Sequence, residues 1–449
     1  MTYSLRVNND LDIETLVDLA RRAERYGFDQ LWVSNDLFLR SAPVLLGILA
    51  AKTERIKLGV GIMNPYSVHV SEIAMMAATM QEATGGRFLL GVAAGSAEFL
   101  AWAGIERPRP LARTAEAVTV LRALLGSAEV RDEVRCEVRG EAREELPAWF
   151  GPLSQLRLPP GEPVPVYVGA MSPKMLQLAG RLADGVLPLL YPPEHFTTAR
   201  AEVLRGAEKA GRSPAELDIP ACFWVSAGDD EEQARLAMAA KIAYYGPSFA
   251  PYLLSRAGLA IEDFAPITAV LERDGLDAAA RLVDDRMLSL GITGSVAQVV
   301  ERCRSLRAAG AEHLSFGPPL GPDPREAVEL LGSEVLPALT ATKPTATKPA
   351  VIRLTAIEPP ATEPPVIEVT ATEPTATEPT ATKPAVIRLT AIEPPATEPT
   401  ATEPAAIELA ATEPAAIELT ATEPAAIELA ATEPAVVEPA VGDNPGGHA

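Results

Sequence analysis

The chain has 449 residues, 42 prolines and a formal net charge of −21, a balance that argues against nucleic acid as a partner. Its three cysteines cannot all pair within one chain and show no metal-ligand spacing, which fits a reduced, cytoplasmic setting. No apolar run reaches membrane-spanning length and the first ten residues lack the basic-then-apolar order of an export signal, so no membrane partner is expected.

Residues 3–7 alternate as a first strand. Between residues 12 and 26, Leu16, Leu19, Ala20 and Ala23 share one helical face, and Gly27 follows where a helix-ending glycine belongs. A strand at 30–33, a helix at 42–52, a strand at 56–60, a helix at 70–83 and a strand at 88–92 continue the alternation. The third strand is apolar enough to be covered on both faces. It runs into Gly61, which tolerates dihedrals that other residues avoid, before Asn64-Pro65 forces a turn.

After Gly95-Ser96 comes a helix around 113–125, then a charged, irregular stretch at 127–160 that reads as an excursion from the surface. A strand at 164–168, a helix reaching residue 183, a strand at 185–189, a helix at 193–210 and a strand at 217–225 add further units. The helical region 230–285 holds more residues than one crossover needs. A helix at 296–309, a last strand at 312–316 and a closing helix at 324–336 complete the body. Eight strands separated by helices predict an α/β fold, a (β/α)8 TIM barrel with insertions over residues 1–339. A doubly wound open sheet is the alternative, but no Gly-x-Gly-x-x-Gly follows the first strand.

From residue 340 the composition collapses onto Ala, Thr, Glu, Pro, Ile, Val and Leu, with residues 345–354 recurring at 380–389 and a ten-residue repeat from Ala401, and all four Trp lie before it. Proline about every five residues blocks helix continuation, and without aromatic residues nothing nucleates a core. Residues 340–449 therefore read as a low-complexity, acidic, disordered tail; a β-solenoid is the alternative that a fixed period raises.

Chemistry-bearing residues gather at the predicted strand ends: Arg6, Asn8, Ser34, Asn35, Asp36, the run 61–64, Gly95, Ser96 and the run 169–174. The glycines suit a flat aromatic ligand laid over a barrel mouth, since it needs backbone without side chains. Ser172-Pro173-Lys174 has the pattern of a helix start, where a phosphate finds backbone N–H groups and a nearby cation. Ordinary capping with a solvated lysine is the plain alternative. Asp36 is either an acid or base or a structural partner, and Trp102 either walls a pocket or packs. The four histidines lack ligand spacing, so no metal is expected.

With these residues in view, the body resembles the luciferase-like flavin and deazaflavin oxidoreductases. It is most similar to the coenzyme F-420-dependent methylenetetrahydromethanopterin reductase branch. The runs that carry the resemblance are Gly27-Phe28-Asp29-Gln30-Leu31-Trp32-Val33, Thr53-Glu54-Arg55-Ile56-Lys57-Leu58-Gly59, Asn64-Pro65-Tyr66, Gly85-Gly86-Arg87-Phe88-Leu89-Leu90-Gly91, Val166-Tyr167-Val168-Gly169-Ala170, Pro173-Lys174-Met175-Leu176 and Ala183-Asp184-Gly185-Val186. The resemblance implies a flavin-like ring at the C-terminal mouth, supported by a non-prolyl cis peptide between Gly61 and Ile62, with the coenzyme's phosphate-bearing tail near residues 169–175. It also implies a homodimer.

Carried over residue by residue, it makes Gly61, Ile62, Met63, Asn64, Gly95, Ser96, Gly169, Ala170, Ser172, Lys174 and Met175 cofactor contacts. Arg6, Asn35 and Asp36 become candidates for substrate contact or proton handling. The sequence departs from the branch at Arg6, where the relatives have a glutamate, and at Asn35-Asp36, where they have Asp-His; an arginine favours an anionic or carbonyl-bearing substrate. The expected activity is hydride transfer between coenzyme F-420 and a small organic molecule. An FMN-dependent monooxygenase and a non-catalytic cofactor-binding barrel are the alternatives.

Overall fold

The structure, a computed structural model, describes residues 1–127, 147, 150, 151 and 153–340, and beyond these the short segments 352–356, 367–371, 386–389, 407–411, 417–419, 427–431 and 437–439. The chain divides into two units, Met1–Ala341 and Thr342–Ala449.

In the first unit, strand β1 (Thr2–Val7) pairs in parallel with β2 (Gln30–Ser34), β2 with β3 (Lys57–Met63), β3 with β4 (Phe88–Val92), β4 with β5 (Val166–Gly169) and β5 with β6 (Gly185–Leu187). One residue beyond β6, β7 (Leu189–Leu190) pairs with β8 (Ala221–Ala227). Strand β8 also pairs with β10 (His313–Leu320), and β10 returns to β1. Residues 185–190 thus join the two ends of the curled sheet, and the eight strand positions expected from the sequence are those that form it. One strand was not expected: β9 (Ile292–Gly294) pairs with the upper end of β8, and three residues are too few to carry a periodic signal.

Helices α1 (Ile13–Arg25), α2 (Ala42–Ala50), α3 (Val70–Thr84), α5 (Pro110–Leu125), α6 (Pro173–Leu182) and α7 (Phe196–Lys209) accompany the strands, with α4 (Ala97–Trp102) a short turn of helix after β4. Local chemistry sets their ends. Asp12 accepts from the Thr15 N–H at 2.9 Å to cap α1, and Gly27 just beyond it takes φ +83°. Strand alternation sends Leu5 and Val7 outward into the main apolar core with Leu16 and Leu19 of α1, while Ser4 and Arg6 face the barrel axis.

The axis is filled in layers. At the lower end, His313 Nδ1 lies 2.8 Å from Asp218 Oδ1, its Nε2 lies 2.8 Å from Ser4 Oγ, and the Tyr167 hydroxyl donates to Asp218 at 2.8 Å. Above it Trp32 packs with Leu89 and Tyr167, the Trp32 and Tyr167 rings being 5.0 Å apart. Gly59 makes room for Trp32, since a Cβ there would sit 2.3 Å from the indole.

The surplus region 230–285 folds into α8 (Glu231–Tyr245), α9 (Pro251–Leu254), α10 (Ala265–Asp274) and α11 (Leu276–Ala280), with α12 (Asp285–Leu288) just beyond. These share a second apolar core that includes Trp224 of β8, Ile242, Phe249 and Phe264. The chain closes through α13 (Val296–Ala308) and α14 (Pro324–Leu330). The expected excursion at 127–160 lies largely outside the described residues. So does most of the tail, where extended segments from the repeats are described and the expectation of disorder falls mainly on residues that are not.

Candidate active site

Strand β3 ends in the feature around which the mouth is built. The Gly61–Ile62 peptide is cis, and the pairing of β3 with β4 shifts between Val60 and Met63. Glycines on the next two strands leave space for Ile62: a Cβ at Gly91 would sit 3.1 Å from its Cγ2, and one at Gly169 would sit 3.3 Å away. Asn64 is occupied structurally. Its Oδ1 accepts from the Tyr66 N–H at 2.9 Å, its Nδ2 donates to the Ala94 carbonyl at 3.3 Å, and a Cβ on Gly95 (φ +69°) would lie 2.1 Å from that Nδ2. Gly95 is therefore required by both its backbone angle and its neighbour.

A cavity of about 680 Å³ opens over this feature, at the C-terminal ends of the strands, in the size range of small-molecule sites. Arg6, Asn8, Trp32, Ser34, Gly61, Gly95 and Ser96 line its lower part. Trp224, Lys241, Tyr245 and Phe249 contribute from β8 and the helical insertion. At the rim, the Ser248 hydroxyl donates to Glu98 at 3.1 Å, tying the insertion to α4. Trp102 lines the cavity while 59% exposed, and its ring packs 4.9 Å from that of Phe99, so it does both.

Arg6 reaches the cavity held by neutral acceptors. Its Nη2 donates to the Phe223 carbonyl at 2.5 Å and the Ser315 carbonyl at 3.2 Å, and its Nε to Ser315 Oγ at 3.1 Å. Gly317 permits this, because a Cβ there would meet Nη2 at 2.3 Å. Burial lowers the guanidinium below its ordinary pKa. Lys241 Nζ lies 4.3 Å from the Tyr245 ring centre and 5.4 Å from that of Trp224. Burial brings this lysine down to about 8, against the pull of Asp36 and Asp10.

The other expected residues are placed differently. Asp36 does not line the cavity; it accepts from Ser34 Oγ at 3.3 Å, and burial pushes its carboxyl up. Asn35 turns its amide toward Met63 Sδ at 3.6 Å, and Met63 and Ala170 are buried. Ser172 Oγ accepts from the Met175 N–H at 3.4 Å, capping α6 as its sequence suggested. Ser172 and Lys174 are exposed and, with Met175, stand outside the cavity wall, which reaches this loop at Met171. Lys241, Trp224 and Tyr245 were missed by sequence reasoning. The one signal for them was the excess length of the region after β8. Among the described residues no cluster of three or more His, Cys, Asp or Glu is arranged to hold a metal.

A parallel sheet curled around a packed axis, with a cavity over the C-terminal ends of its strands, defines an α/β barrel of the TIM-like class. The chain belongs to the luciferase-like monooxygenase family, which it matches over residues 3–313. It is 32% identical to the 5,10-methylenetetrahydromethanopterin reductase of Archaeoglobus fulgidus over 344 residues, covering 76% of this chain and 100% of that one. It is also 30% identical to the F-420-dependent glucose-6-phosphate dehydrogenase of Nakamurella multipartita over 342 residues, 73% of this chain and 92% of the relative. Among solved structures, the coenzyme F-420-dependent tetrahydromethanopterin reductase of Methanopyrus kandleri superposes with a TM-score of 0.67 at 27% identity, covering 76% of this chain and 99% of that one. No helix among the described residues is long and apolar enough to cross a membrane.

Proposed function

We propose that this chain is a coenzyme F-420-dependent oxidoreductase that moves a hydride between the deazaflavin and a small organic substrate held at the barrel mouth. The observation that carries the reading is the cradle at the end of β3: Gly91 and Gly169 leave room for Ile62, under a cavity lined by the Cβ-free backbone of Gly61 and Gly95. A flat ring fits against backbone that offers no Cβ. The relatives named for F-420 align with this chain along nearly their whole length.

The coenzyme, when bound, supplies or accepts the hydride. The chain's part is to hold and screen. Trp32 floors the mouth, and Trp102 and Tyr245 keep its walls apolar, so that charges inside act through a medium poorer in water. The exposed start of α6, with Ser172 and Lys174, offers backbone N–H groups and a cation to the coenzyme's anionic tail. The dimer expected from the family is part of the same reading.

The test is a fluorescence titration of the full-length protein with F-420 and separately with FMN. Binding of F-420 alone, followed by anaerobic turnover, is the expected result. Binding of FMN alone, with turnover that requires oxygen, would replace this reading with a monooxygenase. Binding of neither would leave a barrel without a redox cofactor.

A further inference from the structure

We infer that the substrate of this mouth is anionic, and that its carboxylate or phosphate group is received between Arg6 and Lys241. The inference rests on the reading of the cavity as a substrate site and adds the chemistry the substrate must carry.

Of the three cations that line the cavity, Arg107 gives its Nη1 to the Gly95 carbonyl at 2.6 Å, and the other two, Arg6 of β1 and Lys241 of α8, come from distant parts of the chain. Neither has a counter-ion in contact. Among the described residues every acceptor around Arg6 is neutral: two backbone carbonyls and a serine hydroxyl. Lys241 rests on the faces of Tyr245 and Trp224, which attract a cation without neutralising it. Among the described residues, no carboxylate lies within 4.0 Å of either cation. Asp36 and Asp10 act on Lys241 only from farther away, and Arg6 opposes them by like-charge repulsion. The rim carboxylates Glu98 and Glu272 are exposed and therefore screened.

Partly buried cations without counter-ions are costly, and proteins relieve the cost by pairing them or by releasing a proton. Lys241 has gone part of the way along the second route, at about 8. An anion entering between the two groups supplies the first. Arginine offers a fixed fork for two oxygens, and lysine offers a compact point charge. Aromatic walls from Trp224, Tyr245 and Phe249 dry the space and strengthen both attractions. Lys241, the group that titrates nearest neutrality here, then charges fully as the anion binds. Binding is thus linked to proton uptake.

The experiment is isothermal titration of the full-length protein with acetate, inorganic phosphate and, as the uncharged match to acetate, acetamide. It is run at pH 8 in two buffers of different ionisation enthalpy, with and without saturating F-420. The expected result is binding of acetate or phosphate but not acetamide, with uptake of up to about half a proton per site, as a group titrating near 8 requires. Which of the two anions binds more tightly separates a carboxylate substrate from a phosphorylated one. Lys241→Met should weaken the anion at least tenfold and abolish the uptake. Lys241→Arg should restore binding without uptake, because arginine stays charged, and that rescue excludes a folding defect.

Equal binding of acetate and acetamide, no binding of either anion, or unchanged affinity and uptake in Lys241→Met would each overturn the inference. Competition between the anion and F-420 would overturn it too, by assigning the subsite to the coenzyme. Failure of F-420 to bind while acetate or phosphate still binds would sink the coenzyme reading and leave the anion site standing.

Discussion

Replacing Gly91 with alanine tests whether close approach of β4 to the end of β3 shapes the mouth. A Cβ at this position would lie 2.3 Å from the Val60 carbonyl oxygen, 3.1 Å from Ile62 Cγ2 and 3.2 Å from Leu187 Cδ1. Ordinary contact begins near 3.4 Å, so the β3 backbone must retreat by about 1 Å or the strands must separate. The nearest atom is a backbone oxygen in a buried parallel pair, and no rotamer change can relieve it. Overpacking of this kind costs about 1–3 kcal/mol. With an unfolding entropy of roughly 2.1 cal/mol/K per residue, a barrel of about 340 residues should lose about 1–4 °C in Tm. The retreat also moves Gly61–Ile62, so F-420 affinity should fall by more than the stability loss explains. Differential scanning calorimetry and the fluorescence titration read the two effects. Wild-type Tm together with wild-type F-420 affinity would refute the idea that this glycine sets the position of the cradle.

Gly47, inside α2 and with no atom within 4 Å of a would-be Cβ, is the counterpart: Gly47→Ala should stabilise by about 0.5–1 kcal/mol, read as a raised Tm with unchanged ligand binding. Arg87 donates to the Thr84, Ile56 and Thr53 carbonyls at 2.9, 2.6 and 3.1 Å, a fork that lysine cannot reproduce. Arg87→Lys should therefore cost about 1–3 kcal/mol in denaturant melts, and a neutral result would show the clamp to be redundant. At the lower end of the barrel, burial raises the Asp218 carboxyl, but the His313 hydrogen bond and charge, with Tyr167, bring it below its ordinary value. A depressed carboxyl stabilises above its unfolded pKa and loses that contribution as pH falls through the folded value. Asp218→Asn should accordingly lower Tm at pH 7 and flatten its decline between about pH 5 and pH 2; parallel Tm curves for variant and wild type would contradict the assignment.

Much of the body could be read from local chemistry. Alternation marked residues 3–7 as a strand, the apolar face of residues 12–26 and the Ser172 cap announced their helices, and an apolar strand running into Gly61 marked the mouth. Each of these signals lies within a few residues of its effect, and period and capping are local properties of the chain. Arg6, Gly61, Gly95 and Ser96 were legible as cavity residues because the strand ends of a barrel converge on one face.

What only the tertiary structure decided is which side chains reach that face from elsewhere. Asp36 could be read as an acid or base or as a structural partner, and it hydrogen-bonds Ser34 without lining the cavity. Lys241 carried no signal of its own in the sequence, yet it stands in the cavity on Trp224 and Tyr245. Lys241 and Arg6 are more than 230 positions apart in the sequence, and no periodicity spans that distance. Their meeting depends on the sheet curling until β10 lies beside β1 and β8 beside β10, and on the helical insertion finding its own apolar core.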